Sequence, residues 1–98
     1  MGTKYEKGRG FEAYIIKKLR EAGYYTTRSA GSKGVFDVVA IKNGVVWGVQ
    51  CKASQYVPKK EIDTIVETGR KYGIIPCLAK KDGRRTVVIC LYTGKEVV

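Results

Sequence analysis

The sequence predicts one α+β domain, in the order helix, three strands, helix, two strands, with a mixed central sheet flanked by helices. Three observations carry this. Two segments space their apolar residues three and four positions apart. Two Asx-Gly pairs, Asn43-Gly44 and Asp82-Gly83, each stand between apolar runs. The 98 residues, 44% of them hydrophobic, suffice for one small core but not two. A single domain over 1–98 is expected, with 1–8 as a basic, mobile arm.

The first helix is expected from Arg9 or Gly10, because Phe11, Tyr14, Ile15, Leu19 and Ala22 recur at helical spacing up to a stop at Gly23. Tyr24 to Arg28 is rich in strand formers, and Ser29 to Gly34 reads as a loop. Phe36 to Lys52 reads as two strands around Asn43-Gly44, a pair suited to the type I′ turn because both central residues need positive φ. This hairpin should be central. Pro58 suits a helix start, and Ile62, Ile65, Val66, Gly69 and Tyr72 form an apolar stripe that ends at Gly73. Ile74 to Lys80 and Arg85 to Tyr92 make a second hairpin around Asp82-Gly83.

Charge and composition narrow the function. Nineteen Lys and Arg against nine acids give a formal charge of +10, which implies an anionic partner: nucleic acid first, an anionic membrane surface second. No apolar run approaches a membrane span, and MGTKYEKGRG has no hydrophobic signal core. Cys51, Cys77 and Cys90 match neither a disulfide framework nor a zinc pattern, and read as reduced core thiols of an intracellular protein. The absence of histidine excludes His-based triads, His-ligated zinc and nucleases with a histidine base. Any chemistry must rest on carboxylates, amides and lysines, with or without a metal.

The first hairpin holds the residues suited to that chemistry. With Asn43 and Gly44 as the loop, Lys42 faces Val45 and Asp37 falls opposite Gln50. Alternation then puts Asp37, Gln50 and Lys52 on one face and Phe36, Val38, Ala40, Val45, Trp47, Val49 and Cys51 on the core face. Asp37 is the only carboxylate between Glu21 and Glu61. Two readings stand for the trio: a structural Asp37–Lys52 ion pair, or a site. The preceding RSAGSKG loop offers amides, hydroxyls and two cations at the strand mouth, features suited to phosphate. Glu12 could face the same sheet end, although the helix dipole alone favours an acid there.

The succession Glu12, Arg28-Ser-Ala-Gly-Ser32, Phe36-Asp-Val-Val-Ala40 and Val49-Gln-Cys-Lys52 resembles the PD-(D/E)XK nuclease superfamily, and within it the archaeal and viral type of Holliday junction resolvase. The resemblance implies a restriction-endonuclease-like α-β-β-β-α-β-β core. It also implies a metal-dependent, structure-selective endodeoxyribonuclease that cuts four-way DNA junctions as a homodimer. Asp37 would be the principal Mg²⁺ ligand, with Mn²⁺ as the substitute. Glu12 would assist the metal or its water, and Lys52 would orient the nucleophile and offset developing charge. Arg28, Ser29, Ser32 and Lys33 would approach the DNA backbone, with further phosphate contacts from Lys4, Lys7 and Arg9.

Two departures from the family pattern bear on this. Phe36 stands where the family usually has Pro before the aspartate, and Gln50 stands where an acid is expected. An amide oxygen can ligate Mg²⁺ but brings no charge, so metal affinity should fall, or the Cys51 backbone carbonyl should fill the gap. Tyr5, Tyr24 and Tyr25 could stack on unpaired bases or pack half-buried, and Lys59 and Lys60 read as the solvated side of their helix. Alternatives are a related endonuclease on linear, modified or flapped DNA, a subunit needing a partner protein, and a non-catalytic DNA-binding protein with a disabled site.

Overall fold

Asn43 (φ 53°) and Gly44 (φ 77°) both adopt the left-handed conformation, as a type I′ turn requires, and they lock the register of the central hairpin. A computed structural model describes residues 4–28, 35–53 and 56–98, without the side chains of 4–9. Its elements are α1 (Lys4–Glu21), β1 (Tyr25–Arg28), β2 (Val38–Lys42), β3 (Val45–Lys52), α2 (Lys59–Tyr72), β4 (Ile75–Asp82) and β5 (Arg85–Cys90). They follow the predicted order. The five strands form one mixed sheet in the order β1-β2-β3-β4-β5. Only β3 and β4 are parallel, and α2 is the crossover that a parallel pair needs.

α1 begins at Lys4, not at Arg9 or Gly10, so most of the segment expected to be a mobile arm belongs to the helix. Lys, Glu and Arg are good helix formers, and Gly8 and Gly10 cost propensity without ending the helix. α1 lays Phe11, Ile15 and Leu19 on one face of the sheet, against Val38, Ala40, Val49, Cys77, Ala79, Val88 and Cys90. α2 covers the other face, where Ile65 packs with Phe36 and Leu78. Tyr72, counted in the apolar stripe of α2, is 64% exposed and lies beneath the Lys71 ammonium. The helix ends with Gly73 in the left-handed conformation, as expected.

The second hairpin turns one residue later than predicted. Asp82 pairs with Arg85, so the loop is Gly83-Arg84, with left-handed Gly83 (φ 66°) at its first central position, as in a type II′ turn. β5 ends at Cys90, and the chain then returns along it through an isolated Ile89–Glu96 bridge and a 2.7 Å bond from Val97 N–H to Val88 O. The three cysteines are free; Cys77 and Cys90 are buried, and burial with the nearby Cys90 thiol pushes Cys77 up to about 12. Among the described residues no helix is long and apolar enough to cross a membrane.

Phe36 departs from the alternation expected of the hairpin. The predicted pairing holds from Lys42↔Val45 to Val38↔Val49. The N–H of Asp37 then also bonds Val49 O, at 2.8 Å, so two consecutive residues face one partner in the manner of a β-bulge. Past this point the faces invert. Phe36, expected on the same face as Val38, which packs against α1, lies instead on the α2 side over Gly48, where a Cβ would sit 2.6 Å from its ring. Only a residue without a side chain leaves room for that ring.

Candidate active site

The bulge carries Asp37 out of the β2 ladder and leaves its carboxylate at the seam where β2 and β3 part. There Oδ2 accepts the Cys51 N–H at 2.9 Å, which stands in for the next ladder bond of β3. Gln50 supplies a second donor. With its amide nitrogen facing the two acceptors beside it, it donates to Asp37 Oδ2 at 3.3 Å and to the Val35 carbonyl. Asp37 Oδ1 has no protein partner among the described residues. One carboxylate oxygen is thus fixed by the sheet while the other stays available.

Asp37 and Gln50 line a cleft of about 390 Å³ together with Val35 and the α2 residues Lys60, Glu61, Thr64 and Ile65. Lys52 ends β3 beside it and donates from Nζ to Glu61 Oε1 at 3.1 Å. The Asp37–Lys52 ion pair left open by the sequence does not form; the lysine is held by the helix instead. The predicted trio therefore does gather on the α2 side of the sheet. Sequence reasoning missed Glu61 and the place of Lys60, which is exposed but lies on the rim of this cleft. The available signal was the helical spacing of 60, 61, 64 and 65, which puts them on the face bearing buried Ile65.

Glu12 reaches the same end of the sheet from the α1 side, where its Oε1 lies 3.5 Å from Arg28 Nε. The two sides meet at Cys51. Burial raises its thiol first, the carboxylates of Asp37 and Glu12 raise it further, and Arg28 lowers it. Both acids and the arginine thus act on one half-buried sulfur, whose thiol is held well above its ordinary range. The side chains of Lys4, Lys7 and Arg9, and all of Ser29, Ser32 and Lys33, lie outside the described residues.

The donor set can be matched against a divalent cation. Among the described residues no three Asp, Glu, Cys or His side chains converge closely enough to hold one. The cleft nevertheless offers the Asp37 carboxylate with one oxygen uncommitted and the Glu61 carboxylate, with the Gln50 amide beside them. Mg²⁺ characteristically binds through one or two carboxylates plus waters and substrate phosphates, not through an all-protein cage. The residues fit a cation of that kind.

Residues 3–93 match the family described as archaeal Holliday junction resolvase (Hjc). A crossover junction endodeoxyribonuclease Hjc from Methanocaldococcus jannaschii is 38% identical over 85 residues, covering 83% of this chain and 63% of that protein. Its namesake from Sulfurisphaera tokodaii is 29% identical over 83 residues, covering 74% of this chain and 58% of that protein. The chain thus spans less than two thirds of the length of these curated relatives. Among solved structures, Hjc of Archaeoglobus fulgidus superposes with a TM-score of 0.70 at 24% identity, over 88% of this chain and 74% of the other. A bacterial homing endonuclease superposes at 0.65 and 19% identity, over 96% and 70%. These two share the fold. With β2, the bulged aspartate and the glutamine–lysine end of β3 all inside the matched span, the chain belongs to the archaeal Holliday junction resolvase family.

Proposed function

We propose that this chain is a metal-dependent, structure-selective DNA endonuclease that resolves four-way junctions by paired phosphodiester hydrolysis, acting as an intracellular homodimer. The observation that carries the reading is Asp37: a carboxylate held at the sheet end by the Cys51 N–H, with one oxygen uncommitted and Lys52 two residues beyond Gln50 on the neighbouring strand. Asp37 and Gln50 would hold Mg²⁺, or Mn²⁺ in its place, with Glu12 and the Cys51 carbonyl as further candidates. When bound, such an ion activates water and offsets charge on the transferred phosphate.

The chain's own groups supply the remainder. Lys52 would bring a cation to the place where charge develops, and Arg28, with the cations of the loop and the start of α1, would hold the DNA backbone. A C₂ dimer presents two such sites, matching the two symmetric strands of a junction. A second reading draws on Gln50. Its amide satisfies Asp37 without any metal, which suits a protein that binds junctions without cutting them.

Incubating an end-labelled four-way junction with the protein and Mg²⁺ or Mn²⁺ separates these readings. Paired symmetric nicks near the branch point are expected, and Asp37→Asn should abolish them while leaving junction binding intact. Equal cutting of linear duplex would favour the broader endonuclease reading. Binding without cleavage in either metal would leave the non-catalytic one.

A further inference from the structure

The family pattern expects an acid two residues before the lysine, and this chain has a neutral amide there. The charge deficit has a structural counterpart on the facing helix. Of the three acids of α2, Glu61, Asp63 and Glu67, only Glu61 lines the cleft that contains Asp37 and Gln50. It occupies the first turn of the helix, next to Lys60 and one turn from Thr64, on the side that buries Ile65 against the sheet. Its carboxylate already pairs with Lys52 at 3.1 Å.

We propose that Glu61 supplies the second anionic oxygen ligand of the site, in place of an acid at position 50. This rests on the metal-dependent reading above and names the residue that completes it. Three features make Glu61 suitable. It comes from a different element than Asp37, so the two carboxylates approach the cleft from opposite walls, one from the sheet and one from the helix. Gln50 stays between sheet and helix as a hydrogen-bond donor to Asp37, a role an ionised carboxylate at position 50 could not fill. Lys52 neutralises Glu61 in the free protein; a cation that takes over the Glu61 oxygen frees the Lys52 ammonium for the phosphate.

The ordinary account of Glu61 is a first-turn acid that favours the helix dipole and makes a half-exposed ion pair. The two accounts differ in what an exchange of charge between positions 50 and 61 does. Mn²⁺ binding to the full chain, read by electron paramagnetic resonance of the free ion, is the direct measurement. Glu61→Gln should weaken Mn²⁺ binding about tenfold or more, the removal of one charged oxygen ligand being on the order of that factor. Glu67→Gln should leave it unchanged. Adding Gln50→Glu to the Glu61→Gln chain should restore most of the affinity. Glu61 is 45% exposed, so the variant should fold, and a thermal melt confirms it. If wild type binds Mn²⁺ and Glu61→Gln binds it equally well, the assignment of Glu61 fails while the metal-dependent reading stands. If Glu61→Gln weakens binding but the added Gln50→Glu does not restore it, Glu61 acts only by holding Lys52 and the assignment also fails. A wild-type chain that retains no Mn²⁺, alone or with junction DNA, overturns both.

Discussion

At the scale of single residues, the Gln50 amide sets the contacts around Asp37 Oδ2. A glutamate at this position would set acceptor against acceptor, facing both Asp37 Oδ2 and the Val35 carbonyl, with two negative charges a hydrogen-bond length apart. The amide turns the same approach into two donated bonds. Gln50→Glu should therefore lower metal-free stability by about 1–3 kcal/mol, the order of cost of leaving half-buried polar groups facing a like charge in place of a partner. For a domain of this size that is a fall in Tm of roughly 5–20 °C in EDTA. Under the metal-dependent reading, Mg²⁺ or Mn²⁺ should return most of it, because a cation held there would convert the repelling pair into a ligand pair. A variant as stable as wild type in EDTA would show that the amide contributes nothing here. The odd residue was legible in the sequence; its action as a donor was not, because which way an amide points depends on the carbonyl of Val35, and that depends on the bulge.

At the scale of elements, the central hairpin shows how far alternation can be followed. Asn43-Gly44 carried the register correctly along β2 to Val38, since a two-residue turn leaves no freedom to slip. Beyond it strict alternation put Phe36 on the wrong face, because period two says nothing about where a strand stops pairing. The clue was Gly48, a strand-interior glycine, a residue that often marks a bulge or a close approach. It forms a socket for the Phe36 ring on the α2 face. Gly48→Ala would put a methyl carbon 2.6 Å from that ring and force the phenyl or the strand to move. Overpacking of this kind costs typically about 1–3 kcal/mol. Because Phe36 immediately precedes Asp37, the strain should also displace the carboxylate. Chemical denaturation should show the fall in stability, and junction cleavage should drop more than junction binding; equal drops in both would mean that the ring position does not set the aspartate. Helical spacing puts Glu61 on the face of buried Ile65, but a first-turn acid is also what the helix dipole alone would select, so the spacing gives its place and not its role.

At the scale of the molecule, one end of the sheet gathers Asp37, Gln50, Lys52 and the cations of the β4–β5 turn. The parallel run of β3 and β4 brings Lys52 beside Lys80, and the β4–β5 turn therefore emerges on the same side as Asp37. A larger cleft continues from there, lined by Phe11, Ala53, Lys18, Lys81, Arg84 and Arg85, and it reaches the chain neighbours of Glu12 and Lys52. Lys18 is engaged with the Thr86 carbonyl at 3.0 Å and Arg85 with Glu96 at 3.0 Å, whereas Lys81 and Arg84 make no ion pair among the described residues. Four inter-strand steps of about 4.8 Å spread the cations from Arg28 on β1 to this hairpin over roughly 19 Å. A chain of formal charge +10 should bind DNA largely by displacing counterions, so log K for a junction should fall linearly with log salt concentration. If Lys81 and Arg84 each neutralise a phosphate, Lys81→Ala with Arg84→Ala should make that slope shallower by about 1.8, at roughly 0.9 for each phosphate no longer neutralised. The double variant should bind junction and duplex alike more weakly, since phosphate contacts carry no sequence, while the cleavage rate at saturating protein stays near that of wild type. An unchanged salt slope would place the bound DNA away from this hairpin and confine its path to the Arg28 side of the sheet.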